Sequence, residues 1–116
     1  MSGGFFEVCG STEISVALTA SKLGYTRLHG HDITVTACYC GPPLDTEKIV
    51  AVLEEALGAV SRGSLEEALG ESGAIAEDLL RWLSRRLPER IESSVICLLE
   101  ARWGRLPRIV RLRLRQ

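Results

Sequence analysis

The chain has 116 residues, 46% of them hydrophobic and 25% charged, with a formal net charge of −1. This composition fits one globular domain rather than a disordered chain, and the near-neutral balance leaves no global footprint for nucleic acid. No apolar run approaches the ~18 residues of a membrane helix, and no basic stretch followed by an apolar core opens the chain, so the expected setting is the cytoplasm, away from membranes.

The first dozen residues, with Gly3, Gly4 and Gly10, read as a weakly structured lead-in over 1–12, with a short strand at Phe5–Val8 at most. From Glu13 the pattern alternates. Ile14, Val16, Leu18 and Ala20 share one face, which predicts a half-buried strand ending near Lys22. Gly24 marks a turn, and a second strand, rich in β-branched residues (Ile33, Thr34, Val35, Thr36), runs from about Leu28 to Cys40 before Gly41-Pro42-Pro43 stops it.

Asp45 or Thr46 then caps a helix whose apolar stripe is Ile49, Val52, Leu53, Ala56, Leu57 and Val60. Ser64-Leu65-Glu66-Glu67 has the capping-box pattern and opens a short helical turn that stops at Gly70. A further helix covers about Ala74 to Leu87 and ends at Pro88. A third strand spans about Ser94–Arg102, and Pro107 opens a fourth in which Val110, Leu112 and Leu114 alternate with Arg111, Arg113 and Arg115. The order β-β-α-α-β-β predicts an α+β domain over 1–116, with a four-stranded antiparallel sheet and two helices on one of its faces.

Two features of composition bear on setting. Arg outnumbers Lys twelve to two, and there is no Asn and one Gln, which fits a hot environment, although a high-GC genome also favours Arg. The four cysteines (Cys9, Cys38, Cys40, Cys97) lack a secretion signal beside them and are expected to be reduced thiols. Six of the arginines fall between Arg102 and Arg115, and the acidic middle of the chain makes pairing with carboxylates on a neighbouring subunit a better account of them than nucleic acid.

Both histidines of the chain lie in Leu28-His29-Gly30-His31-Asp32. On a strand, side chains at i and i+2 point the same way, so His29 and His31 would form half of a zinc site, and a catalytic zinc needs a third protein ligand. Cys38 and Cys40 have the opposite parity and face away, whereas Cys9 and Cys97 stay open as the third ligand.

The string Arg27-Leu28-His29-Gly30-His31-Asp32, together with Leu18-Thr19-Ala20-Ser21-Lys22, Leu44-Asp45, Ala76-Glu77 and Leu98-Leu99-Glu100-Ala101, resembles the motif order of the 6-pyruvoyl-tetrahydropterin synthase and 6-carboxy-tetrahydropterin synthase family. The resemblance implies the T-fold, assembly of copies into a trimer or stacked hexamer, a zinc ion, and a pterin-like ligand anchored between subunits by Glu100. Three family positions are changed. The first zinc histidine falls at Lys22, the catalytic cysteine at Tyr25, and the Asp-His pair within Ser64–Leu69, which holds neither residue. With only two histidines, the family's relay cannot run in this chain if both bind metal.

Three readings of the pocket follow: zinc on His29 and His31 with a third ligand; the Lys22 ammonium in place of the metal; or two imidazoles hydrogen-bonded in a vestigial pocket. Tyr25 is the positional substitute for the thiol, though a phenol titrating near ~10 is a poor base at neutral pH. Asp45 reads as a helix cap. The corresponding functions are a divergent synthase-like lyase acting on a pterin or related purine-like compound, a non-catalytic binder of such a ligand, and a T-fold assembly module.

Overall fold

The computed structural model describes residues 5–25, 27–104 and 108–114, with the side chain of His29 excepted. Its strands are β1 (Phe6–Leu18), β2 (His29–Gly41), β3 (Arg90–Ile91), β4 (Ser94–Trp103) and β5 (Ile109–Arg113), and its helices are α1 (Thr46–Leu57), α2 (Leu65–Leu69) and α3 (Ala76–Ser84), with a single 3-10 turn at Ser21–Leu23. The sheet is antiparallel in the order β1-β2-β4-β3, and β5 pairs with β4 along the same edge as β3. The expected α+β class holds, with a five-stranded sheet in place of four strands and a third, five-residue helix, α2. Pro107 and Arg115 lie outside the described residues.

The lead-in expectation for 1–12 is corrected. Phe6–Thr12 is the first half of one 13-residue strand that pairs residue for residue with β2, from Phe6↔Gly41 to Leu18↔His29. Gly10 marks a close approach rather than slack: a Cβ there would stand 3.0 Å from Val50 Cγ2 and 3.1 Å from Ile49 Cβ, so its absence lets α1 close on β1. The strand also ends earlier than expected, at Leu18, where Ala20 takes a left-handed conformation (φ 54°) and starts the 3-10 turn.

All helices lie on one face of the sheet. Ile14, Val16, Leu18, Ile33, Val35, Tyr39, Leu99 and Ala101 pack there against Ile49, Leu53 and Leu57 of α1, Leu65 of α2 and Leu79, Leu80 and Leu83 of α3. The outer face is polar: Ser11 Oγ meets Thr36 Oγ1 at 2.6 Å, and Ser15 Oγ donates to Asp32 Oδ1 at 2.6 Å. One wet and one packed face is the usual state of an antiparallel sheet.

Caps fix the helices. Asp45 accepts from the Glu47 N–H at 3.0 Å, as expected from sequence, Ser64 accepts from Glu67 at 3.3 Å, and Asp78 accepts the otherwise unpaired Ile75 N–H at 2.9 Å. Inside the core, the Tyr39 hydroxyl donates to the Pro88 carbonyl at 2.7 Å, and burial pushes its phenol up to about 12.

Leu53 is fully enclosed between α1 and the sheet. Leu53→Ala is expected to lower stability by about 2–5 kcal/mol, read as a lower denaturant midpoint with an unchanged slope.

Candidate functional site

Parity along β2 decides what can meet what. His31 stands opposite Val16, a core residue, so it projects from the helix-facing side, and its ring meets the Trp103 ring edge-on at 4.5 Å between centroids. The backbone of His29 pairs with Leu18, and its side chain lies outside the described residues. A cleft of about 530 Å³ opens beside His31 at the end of the β1–β2 pair, with Ser15, Asp32, Arg62 and Ser64 on its walls. Residues 62–64 close the free edge of β1 there: Arg62 N–H donates to the Ser15 carbonyl, and Ala17 N–H to the Gly63 carbonyl at 2.9 Å.

Glu100 sits on the other side of the sheet. It pairs in register with Thr36 of β2 and Arg111 of β5, five places along β2 from His31 and therefore on the opposite face. Its side chain is 15% exposed, and its Oε1 accepts from Arg111 Nε at 2.9 Å, with Arg102 4.0 Å from Oε2. Within one chain the structure does not bring His31 and Glu100 together. The register also shows that Arg111 pairs with a carboxylate of its own chain; Arg108 does the same, donating to Glu77 at 2.6 Å.

Lys22 lies in the 3-10 turn and does not line the cleft. Its ammonium donates to Glu71 at 2.8 Å and to Asp78 at 2.9 Å, and these two bonds raise its pKa. Burial of Asp78 opposes its ionisation, but the Ile75 N–H and the Lys22 and Arg81 cations outweigh burial and hold the carboxyl below its ordinary value. Sequence reasoning missed Asp78; the signal was an acid at the third position of a helix with no polar residue at its cap. Tyr25, one residue past Gly24, is 53% exposed.

The cysteines are paired. Disulfides join Cys9 to Cys38 and Cys40 to Cys97, which corrects the expectation of reduced thiols. The reason is register: Cys9 stands directly opposite Cys38, and a bulge after Cys38 turns Cys97 toward Cys40. Both pairs occupy the outer face, so Cys9 and Cys97 do not share a face with His31. Lys22, which the resemblance sets at the first zinc-histidine position, is an ammonium already held by two carboxylates. Residues of that kind do not fit a His-based zinc centre. Among the described residues, the groups positioned to hold a metal are Glu7 with Cys9 and Cys38, and Glu7 with Cys40 and Cys97.

An antiparallel sheet with this strand order and all helices on one face defines an α+β protein of T-fold type. Among solved structures, the chain is similar to 6-pyruvoyl tetrahydropterin synthase of Caenorhabditis elegans, with a TM-score of 0.75 and 13% sequence identity over 99% of this chain and 100% of that one. At that identity the likeness establishes the fold. No protein-family model and no curated protein sequence matches the chain.

Because the Asp78 carboxyl titrates lower in the fold than in the unfolded chain, its stabilisation is complete above the ordinary value of 3.8 and is lost as pH falls through the lower folded value. Asp78→Asn is therefore expected to be less stable than wild type at neutral pH by about 1–3 kcal/mol and to show a flatter stability profile below pH ~4. Urea unfolding at a series of pH values measures both.

Proposed function

We propose that this protein is a T-fold binder of a planar pterin-like or purine-like ligand, with Glu100 as the anchor and a second copy of the chain completing the site. The observation that carries this reading is the placement of Glu100. Its carboxylate stands largely sheltered on β4, with Oε1 bonded to Arg111 and Oε2 4.0 Å from Arg102, a looser contact that a ligand would displace. An ionised carboxylate accepts two parallel N–H bonds from a 2-amino-4-oxo edge, and a sheltered one does so with less competition from water. The full-length likeness to a pterin synthase supports the same ligand class.

Binding is favoured over the synthase-like lyase chemistry. The positions of the thiol and of one zinc histidine hold Tyr25 and Lys22, and the Lys22 ammonium is already shared by Glu71 and Asp78. The opposed faces of His31 and Glu100 mean that any ligand touching both must lie between subunits. Outside the stretch that residues 62–64 cover, β1 has no second strand partner among the described residues, which gives copies a means of joining, so a homo-oligomer, a trimer or a hexamer, is part of the proposal. A second reading, an assembly module with a vestigial pocket, draws on the intrachain ion pairs of both Lys22 and Glu100.

Thermal melts with a dihydropterin, guanine and no ligand separate the two. Binding at a hundredfold excess over Kd stabilises by about 2.7 kcal/mol, a clear upward shift in Tm. Glu100→Gln, which keeps the shape and removes one acceptor, is expected to abolish that shift while Arg111→Gln keeps most of it. An unmoved wild-type melt leaves the assembly reading. Product formation from dihydroneopterin triphosphate would overturn the non-catalytic assignment.

A further inference from the structure

The outer face of the sheet gathers all four cysteines of the chain around one carboxylate. Register sets Glu7 opposite Cys40 and Cys9 opposite Cys38, and the bulge brings Cys97 beside Cys40 on the adjacent strand. A carboxylate oxygen of Glu7 and the sulfurs of Cys9 and Cys38 lie within 4.8 Å of one another, and so do donor atoms of Glu7, Cys40 and Cys97. Glu7 is thus common to two overlapping trios. It is exposed, as is Cys9, so solvent, a reductant and an ion all reach the patch, while Cys38 is buried and anchors it.

We propose that reduction converts this patch into a binding site for one thiophilic divalent cation, with Glu7 and the cysteine thiolates as ligands. Zinc bonds thiolate sulfur at about 2.3 Å and carboxylate oxygen at about 2.0–2.2 Å, which places tetrahedral sulfur donors about 3.8 Å apart. Donors already within 4.8 Å on three paired strands reach that spacing through side-chain rotation, with the ladder unchanged. Thiolate donors select zinc over magnesium or calcium. The two trios overlap at Glu7, and the site proposed is one ion shared by the patch.

The redox step balances. Each disulfide takes two electrons and two protons from a small dithiol, which becomes a disulfide, and yields two thiols. Each thiol that ligates the ion then gives its proton to solvent. A small disulfide reverses the sequence: for each cysteine pair it takes two electrons, picks up two protons from solvent to become a dithiol, and the ion leaves as the protein disulfide re-forms, since the thiolate, and not the disulfide sulfur, is the metal ligand. The site is separate from the histidines, which lie toward the opposite end of the β1–β2 pair.

The test uses the full chain, oxidised and after treatment with a dithiol that is then removed. Zinc is titrated against a chromophoric chelator, and Co²⁺ serves as a spectroscopic probe. The reduced protein is expected to bind one zinc per chain and to give a sulfur-to-cobalt charge-transfer band. The oxidised protein, whose fold needs no substitution, should show neither. His31→Ala should keep the band. Glu7→Gln should weaken zinc binding by at least the 10–100-fold that even an outer-shell partner is worth. Replacement of all four cysteines by Ser, with far-ultraviolet circular dichroism as the check on folding, should abolish it. Equal zinc binding in the oxidised and reduced forms, a cobalt complex without the sulfur band, or reduction that unfolds the chain without rescue by zinc would each overturn the proposal.

Discussion

The pairing of β1 with β2 is the constraint from which the other placements follow. It runs without a break from Phe6↔Gly41 to Leu18↔His29, and each step assigns a side chain to one of two faces. A slip by one residue would carry Ile14, Val16 and Leu18 out of the core and bring Glu13 and Ser15 in. The alternation therefore locks the register, with Gly10 as the single place on β1 where α1 approaches too closely for a side chain. Given that register, His31 must face the helices, and Cys9, Cys38 and Cys40 must face away from them.

Much of this was legible in the chain itself. The α1 stripe, the Asp45 and Ser64 caps and the alternation of β2 are short-range signals, and the structure realises each of them. The opposite parity of Cys38 and His31 was also readable, because the pleat of a single strand fixes it. What was not readable depends on pairing between strands. Phe6–Thr12 lacks a clean apolar alternation, since its outer positions are Glu7, Cys9 and Ser11 and one inner position is Gly10; its extended form comes from β2. Strand β3 has two residues and exists only as a partner for β4. The disulfides need both the register and the bulge, neither of which a spacing in sequence can supply.

The candidate site shows the same division. Placing Glu100 on a late strand was a matter of order along the chain. Its separation from His31 was a matter of parity along β2 carried across the β2–β4 ladder, through Thr36, which sequence motifs do not record. Lys22 is a further case. Its position by resemblance suggested a charge lodged where a metal would sit, yet two acids from distant segments, Glu71 and Asp78, hold the ammonium. Asp78 at the same time satisfies the start of α3 and accepts from Arg81, so the Lys22 turn is tied into the helix layer through one buried carboxylate. A charge used in this way has little freedom to polarise a ligand.

The sheet thus keeps two chemistries apart by geometry alone. Imidazole lies on the helix side near one end of the β1–β2 pair, and the disulfide cysteines lie on the outer side near the other, with Glu100 between them along β4 but on the cysteine side. The 13-residue strands make that separation large: at about 3.3 Å per residue, Cys9 and Val16 are some seven steps, or roughly 23 Å, apart. A change of redox state at the cysteines would therefore act on His31 only through the strands that join them. The Glu100–Arg111 pair is nearer, three residues along β4 from the bulged Cys97, and shares its face. Strand β4 thus carries both a cysteine of the outer face and Glu100 on the same side of the sheet.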